Sequence, residues 1–200
     1  MPKLYFKYGT MDASKSADLL MTAHKYEQQG KNIICLRSNL DTRTEEDFIE
    51  SRALTYKHKC FCFDRDMNIY NFINEKNEKK INCILIDEAQ FLTKAQVIEL
   101  TEIVDFLKIP VICYGLKNSY IKGELFEGSK ALLYFADSIQ EVKSVCHFCD
   151  KKATMNLRIK NGKPILESTG NTVVIGDTKE GEDYFISTCR KHYFNPFKDI

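Results

Sequence analysis

Lys15 and Ser16 close the stretch Gly9-Thr10-Met11-Asp12-Ala13-Ser14-Lys15-Ser16, which lies between an alternating apolar segment and a helical one. A loop in that position presents backbone N–H groups and a helix N-terminus to phosphate oxygens. Lys15 then reaches the β- and γ-phosphates of a nucleoside triphosphate such as ATP, and the Ser16 hydroxyl holds Mg²⁺. The usual pattern, G-x-x-x-x-G-K-[ST], fails at one place, where Ser14 replaces the second glycine. Glycine there tolerates unusual dihedrals and lets phosphate approach without a Cβ in the way. Asp12 adds a negative charge, so its side chain must point away from the phosphates. The competing explanation is a strand–turn–helix junction that happens to carry Lys-Ser.

Asp87 and Glu88 end the apolar run Ile81-Asn82-Cys83-Ile84-Leu85-Ile86. An acid at the end of a buried strand completes the Mg²⁺ site opposite the loop serine, and Asp87 takes that role directly or through water. Glu88 is then available to accept a proton from an attacking hydroxyl, the main chemical task left to the protein in phosphoryl transfer to an alcohol. The plain alternative is a strand that ends at the surface in two acids. A second set is metal-like: Cys146-His147-Phe148-Cys149 and Cys189-Arg190-Lys191-His192 form C-x-x-C and C-x-x-H pairs. Each two-residue gap lets two side chains of one turn grip a single tetrahedral ion, and four protein ligands mark a structural zinc site. Cys146, Cys149, Cys189 and His192 are the expected ligands, with His147 as a rival for the fourth position. The 39 residues between the pairs exceed a common finger, so the intervening chain has another task.

These residues need elements to hold them. Leu4, Phe6 and Tyr8 alternate as a strand, and a helix follows from about Lys15 to Gln29, ended by Gly30. Asn32–Arg37 reads as a second strand and Ile81–Ile86 as a central one buried on both faces. Thr93 and Gln96 form a capping-box pattern before a helix with Val97, Leu100, Val104 and Leu107 on one face. Pro110 precedes another strand, Val111–Tyr114. Alternation of this kind predicts a parallel α/β sheet. From about Asp137 to Val145 the pattern turns cysteine-bearing and turn-rich. A nucleotide-binding domain is therefore expected over 1–138 and a zinc-binding domain over 139–200. Met155–Ile159 and Thr172–Ile175 read as hairpin strands there, followed by a polar stretch that ends in Tyr184-Phe185.

Two hundred residues with 44% hydrophobic and 28% charged side chains suit a soluble globular chain with one core domain and a small appendage. The net charge of +1, with basic residues scattered among acids, offers no stripe for a nucleic-acid polymer. No apolar run approaches the ~18 residues of a membrane span, and the N-terminus lacks a signal-peptide core. Cys35, Cys60, Cys62, Cys83 and Cys113 lie in apolar stretches as free thiols, which fits a reducing, cytoplasmic compartment.

Asp87-Glu88-Ala89-Gln90-Phe91 resembles the D-E-[AG]-Q-F segment of the cellular-type (type II) thymidine kinases. So do the Gly9–Ser16 loop, Asp41-Thr42-Arg43, and Tyr114-Gly115-Leu116 with Tyr120 and Leu125-Phe126-Glu127-Gly128-Ser129 beyond, in matching order from about Leu4 to Tyr193. The resemblance implies a P-loop (RecA-like) α/β domain and a zinc-ribbon-like domain carrying a lasso lid. It implies transfer of the γ-phosphoryl group of ATP to the 5′-hydroxyl of thymidine, with deoxyuridine as a second candidate. Glu88 matches the general base. Met11, Asp41, Arg43 and Phe91 match positions around the nucleoside and the transferring group, and Gln90 a position near metal and phosphates. Leu116, Tyr120 and Leu125 match the base pocket, with ordinary core packing equally open for Leu125. Val174, Ile175, Gly176 and Tyr184 match the lid residues nearest the nucleoside. A homotetramer inhibited by its triphosphate end product is also implied. A relative that has lost turnover through Ser14 and Asp12, left as a nucleotide- and zinc-binding protein, is the alternative. A helicase-type ATPase is a weaker one, since 200 residues with a zinc module leave no space for a second core domain.

Overall fold

The computed structural model of the chain describes residues 1–41, 47–167 and 181–197. Eleven strands and five α-helices alternate along these residues: β1 (Leu4–Gly9), α1 (Lys15–Gln28), β2 (Ile33–Ser38), β3 (Phe48–Ile49), β4 (His58–Lys59), β5 (Phe61–Phe63), α2 (Ile69–Lys76), β6 (Cys83–Asp87), α3 (Lys94–Glu102), β7 (Val111–Leu116), α4 (Glu127–Phe135), β8 (Ser138–Glu141), β9 (Met155–Lys160), β10 (Lys163–Ile165), β11 (Asp183–Thr188) and α5 (Arg190–Phe194). Six of the strands make one sheet in the order β5-β2-β6-β7-β1-β8, and every pairing in it is parallel. Strand β7 thus separates the strand that leads into the phosphate loop from the strand that ends in Asp87, the RecA-like arrangement. The expected boundary after residue 138 falls within β8, which pairs with β1.

Strand β6 shows why this sheet is central. Ile84 and Ile86 pack into one apolar cluster with residues of α2, α3 and α4. Cys83 and Leu85 point to the other face, against Leu19, Leu20 and Ala23 of α1. Burial on both faces is what a near-continuous apolar run requires of a parallel strand. Helix α3 begins as its sequence predicts: the Thr93 side chain accepts from the Gln96 N–H, and the Gln96 side chain accepts from the Thr93 N–H. It runs into a π-helical turn, Ile103–Leu107, ended by Lys108 in a left-handed conformation. Gly30, at φ +65, stops α1 as expected.

A smaller antiparallel sheet, β10-β9-β11, carries its own core of Leu157, Ile159, Ile186 and Tyr193. Met155–Ile159 is a strand as read from the sequence. The Tyr184-Phe185 stretch, expected to end a polar segment, instead lies inside β11 and pairs with Ile159 and Arg158. The other expected hairpin strand, Thr172–Ile175, lies outside the described residues.

Candidate active site

Strand β1 ends at Gly9 and α1 starts at Lys15, so the intervening turn opens at the C-terminal edge of the sheet. Ser14 adopts φ 58° and ψ 31°, and Asp12 adopts φ 59°. Both are left-handed, a conformation that costs an L-residue about 1–2 kcal/mol. Ser14 thus keeps the backbone that the missing glycine would have adopted freely. Its hydroxyl makes no capping bond, which leaves the first-turn amides of α1 facing an incoming anion. Lys15 is 9% exposed, and its Nζ donates to the Thr10 carbonyl at 2.7 Å, folding back over the loop. Gly9 admits no side chain: a Cβ there would lie 2.7 Å from the Val142 carbonyl and 2.8 Å from the Ala13 Cβ.

Strand β6 brings the acids to the same edge. The Ser16 Oγ donates to Asp87 Oδ2 at 2.8 Å, so the two residues expected to share Mg²⁺ are already in contact. An alcohol and a carboxylate facing one opening are hard oxygen donors of the kind Mg²⁺ takes, so the pair fits the ion. Burial pushes the Asp87 carboxyl up to about 7, with the neighbouring Glu88 charge adding to it and the Ser16 hydrogen bond opposing it. Glu88 itself sits at φ 52°, a strained backbone at the point where β6 turns into a 3₁₀ turn, Ala89–Phe91. Gln90, buried behind it, donates its amide to Glu88 Oε2 and accepts from the Leu116 N–H at 3.0 Å. That double contact fixes the Glu88 carboxylate against the end of β7. Gly115 and Gly128 make room for the turn. A Cβ on Gly115 would lie 2.8 Å from Gln90 Oε1, and one on Gly128 would lie 2.6 Å from the Ala89 carbonyl.

These groups border a cleft of about 520 Å³, within the range of small-molecule sites. Met11, Asp12, Ser14, Lys15, Ser16, Asp41, Asp87, Glu88, Gln90, Phe91, Leu116 and Tyr120 line it, whereas Gly9, Thr10 and Ala13, expected beside them at the phosphates, are not among the lining residues. Its apolar side has Phe91 edge-on to Phe126 at 5.9 Å and Tyr120 edge-on to Phe185 at 5.7 Å. Leu125 is different: it is 40% exposed, bridges to Asn118 and is not among the residues that line the cleft. Tyr184 packs against the small-sheet cluster and is likewise not among the lining residues. Arg43, Val174, Ile175 and Gly176 lie outside the described residues.

Sequence reading missed Arg37, Asn118, Asn156, Phe126 and Phe185, all on the cleft wall. Arg37 is paired in register with Asp87 and is almost fully buried. A cation closing an otherwise apolar strand was its available signal. Asn156 and Asn118 had no such signal, because isolated amides in a strand or loop are common.

Below the small sheet, Cys146, Cys149, Cys189 and His192 converge, their ligand atoms all within 4.8 Å of one another. The Sγ atoms of Cys146 and Cys189 lie 3.4 and 3.5 Å from His192 Nδ1, and Cys149 Sγ lies 4.0 Å from Cys189 Sγ. A tetrahedron with Zn–S bonds of ~2.3 Å has edges of about 3.8 Å, so the set fits zinc. His147, the rival ligand, is exposed and stacks edge-on against Phe148.

Comparison with known proteins agrees with this geometry. The family model described as thymidine kinase matches residues 2–193. The chain belongs to the thymidine kinase family. It is 47% identical over 196 residues to a thymidine kinase of Streptococcus pyogenes serotype M3, covering 98% of this chain and 99% of that one. A thymidine kinase of Streptococcus thermophilus is also 47% identical, over 98% of this chain and 95% of its own. No helix among the described residues is long and apolar enough to cross a membrane.

Proposed function

We propose that this protein transfers the γ-phosphoryl group of ATP to the 5′-hydroxyl of thymidine, giving thymidine 5′-monophosphate, with deoxyuridine as the second candidate acceptor. The observation that carries the reading is the 2.8 Å contact between Ser16 and Asp87, beside Glu88 on one cleft wall. Residues Gly9–Ser16 and the first turn of α1 bind the triphosphate through backbone N–H groups, while the Lys15 ammonium offsets charge on the β- and γ-phosphates. Ser16 and Asp87 would hold Mg²⁺, which supplies further charge neutralisation on the phosphates. Glu88 faces the acceptor alcohol and takes its proton as the oxygen–phosphorus bond forms and the γ-phosphate bond to ADP breaks. Gln90 keeps the Glu88 carboxylate aimed. Arg37 and Arg43 are assigned to the transferring group, Asp41 and Met11 to the nucleoside, and Phe91, Leu116 and Tyr120 to the base.

Val174, Ile175, Gly176 and Tyr184 are assigned to a lid over the base, which would exclude water from the reacting groups. A homotetramer and a cytoplasmic location belong to the same proposal. Tyr134 at 82% and Phe106 at 71% exposure are apolar surface that subunit contact would cover. Light scattering should then give four times the 23.2 kDa chain mass. The test of activity is incubation with γ-labelled ATP and a nucleoside panel. Label should appear in thymidine 5′-monophosphate. Label found only as free phosphate would refute the transfer.

A further inference from the structure

The small sheet grips the phosphate loop at one residue, Met11. Asn156 Oδ1 accepts from the Met11 N–H at 2.8 Å, and the Ser187 hydroxyl donates to the Met11 carbonyl. Asn156 and Ser187 are directly paired across β9 and β11, so two neighbouring strands present an acceptor and a donor to the same residue. Both side chains are buried. The Asn156 amide has no freedom to turn: its Nδ2 donates to the Asn118 carbonyl at 3.1 Å, and a flip would set two N–H groups and two carbonyls against each other.

Met11 precedes Asp12 and sits three residues before Ser14, the two left-handed non-glycine residues of the loop. Strained backbone persists where its surroundings over-determine it. Among the described residues, the Lys15 bond to Thr10, the Ala13 N–H to Thr10 carbonyl bond, the Asp18 N–H to Ser14 carbonyl bond and the Ser16 bond to Asp87 restrain it from the large-sheet side. The Met11 grip adds two restraints from a different sheet. That sheet is in turn tied to the cysteine–histidine cluster: the His147 N–H donates to the Ser187 carbonyl at 2.9 Å, and Cys189 follows β11 directly.

We infer that Asn156 and Ser187 are positioning residues that hold the Gly9–Ser16 loop in its phosphate-receiving shape, which makes nucleotide binding depend on the zinc-bearing sheet. The inference rests on the phosphoryl-transfer reading of the cleft. It addresses this chain's loss of the second loop glycine, since a loop that must hold Ser14 at φ 58° gains more from an outside grip than a glycine loop would.

The test uses the zinc-loaded protein. Binding of a non-hydrolysable ATP analogue with Mg²⁺ is measured by calorimetry, together with kcat and the KM for each substrate. Ser187→Ala and Asn156→Ala should each weaken analogue binding by roughly three- to tenfold, the effect of losing one such hydrogen bond. Zinc content should stay unchanged. Ser187→Thr, which keeps the hydroxyl, should restore affinity. The double variant should lose less than the product of the single losses, because both bonds hold the same residue, Met11. Wild-type analogue affinity in the single variants would overturn the inference. So would an Asn156→Ala effect confined to the KM for thymidine, which would place Asn156 on the nucleoside. If a variant folds poorly, the affinity of its zinc-replete, folded fraction decides: a merely structural role leaves that affinity at the wild-type value. Wild-type protein that binds the analogue but transfers no phosphate would refute the kinase reading alone.

Discussion

Ser14 and Asp87 are the residues at which local energetics and chemistry pull apart. Ser14 already holds the left-handed backbone, so its strain is carried by the folded protein before any nucleotide arrives. In Ser14→Gly, relief of about 1 kcal/mol of strain is offset by the ~0.5–1 kcal/mol of extra chain entropy that glycine brings to the unfolded state. The melting temperature should move by no more than about 2–4 °C. Removing the Cβ should still tighten ATP by roughly a few-fold, because the loop amides then meet phosphate unobstructed. Calorimetric titration checks this, and unchanged affinity counts against a steric role for Ser14. Asp87 has a carboxyl pushed up to about 7, whereas an unfolded aspartate titrates near ~4. Between those values the folded protein binds the extra proton, so the metal-free protein loses stability as pH rises through the window. Without Mg²⁺ at pH 8, Asp87→Asn should melt a few degrees higher than wild type, and with Mg²⁺ and ATP supplied it should fail to transfer phosphate. A lower melting point would mean the buried charge is already compensated by the protein.

Elements position these residues through contacts of very different sequence range, and this range decides what could be read in advance. The Thr93–Gln96 cap was legible because both partners lie within four residues. Thr93→Ala should cost about 1 kcal/mol in chemical denaturation. The buried run before Asp87 was legible because a two-faced apolar strand has few alternatives. Strand β8, Ser138–Glu141, was not: it is short, mostly polar and only half-buried at its ends, so its pairing with β1 defines it. The same holds for Asn156 and Ser187, whose partner Met11 is 145 and 176 residues away. Arg158 is another long-range piece. It makes paired bonds to Asp183 at 2.6 and 2.8 Å, and its Nη1 donates to the Tyr120 hydroxyl at 3.2 Å. Arg158→Ala should cost about 2–3 kcal/mol, below the range for a fully buried pair because Asp183 is partly exposed. The Arg158 guanidinium also holds the Asp183 carboxyl below the usual range. The pair's contribution is therefore full above pH ~4 and is lost as pH falls through the lowered value. Denaturation curves at pH 7 and pH 3 should show the variant's deficit shrinking at the lower pH.

For the molecule as a whole, a parallel sheet supplies the phosphate loop and the acids, and a small sheet braced by four metal-ligand side chains closes against that loop. One zinc per chain is expected in purified protein, and Cys149→Ala should lose it along with most of the small sheet's stability. Glu88 is the proposed base for phosphoryl transfer in the cleft. The deciding measurement is steady-state transfer to thymidine by wild type and Glu88→Gln, a change that keeps the acceptor for the Gln90 amide but removes the base. We predict a kcat lower by roughly 10²–10⁴-fold with substrate KM values within a few-fold of wild type. Wild-type kcat in Glu88→Gln would contradict the account.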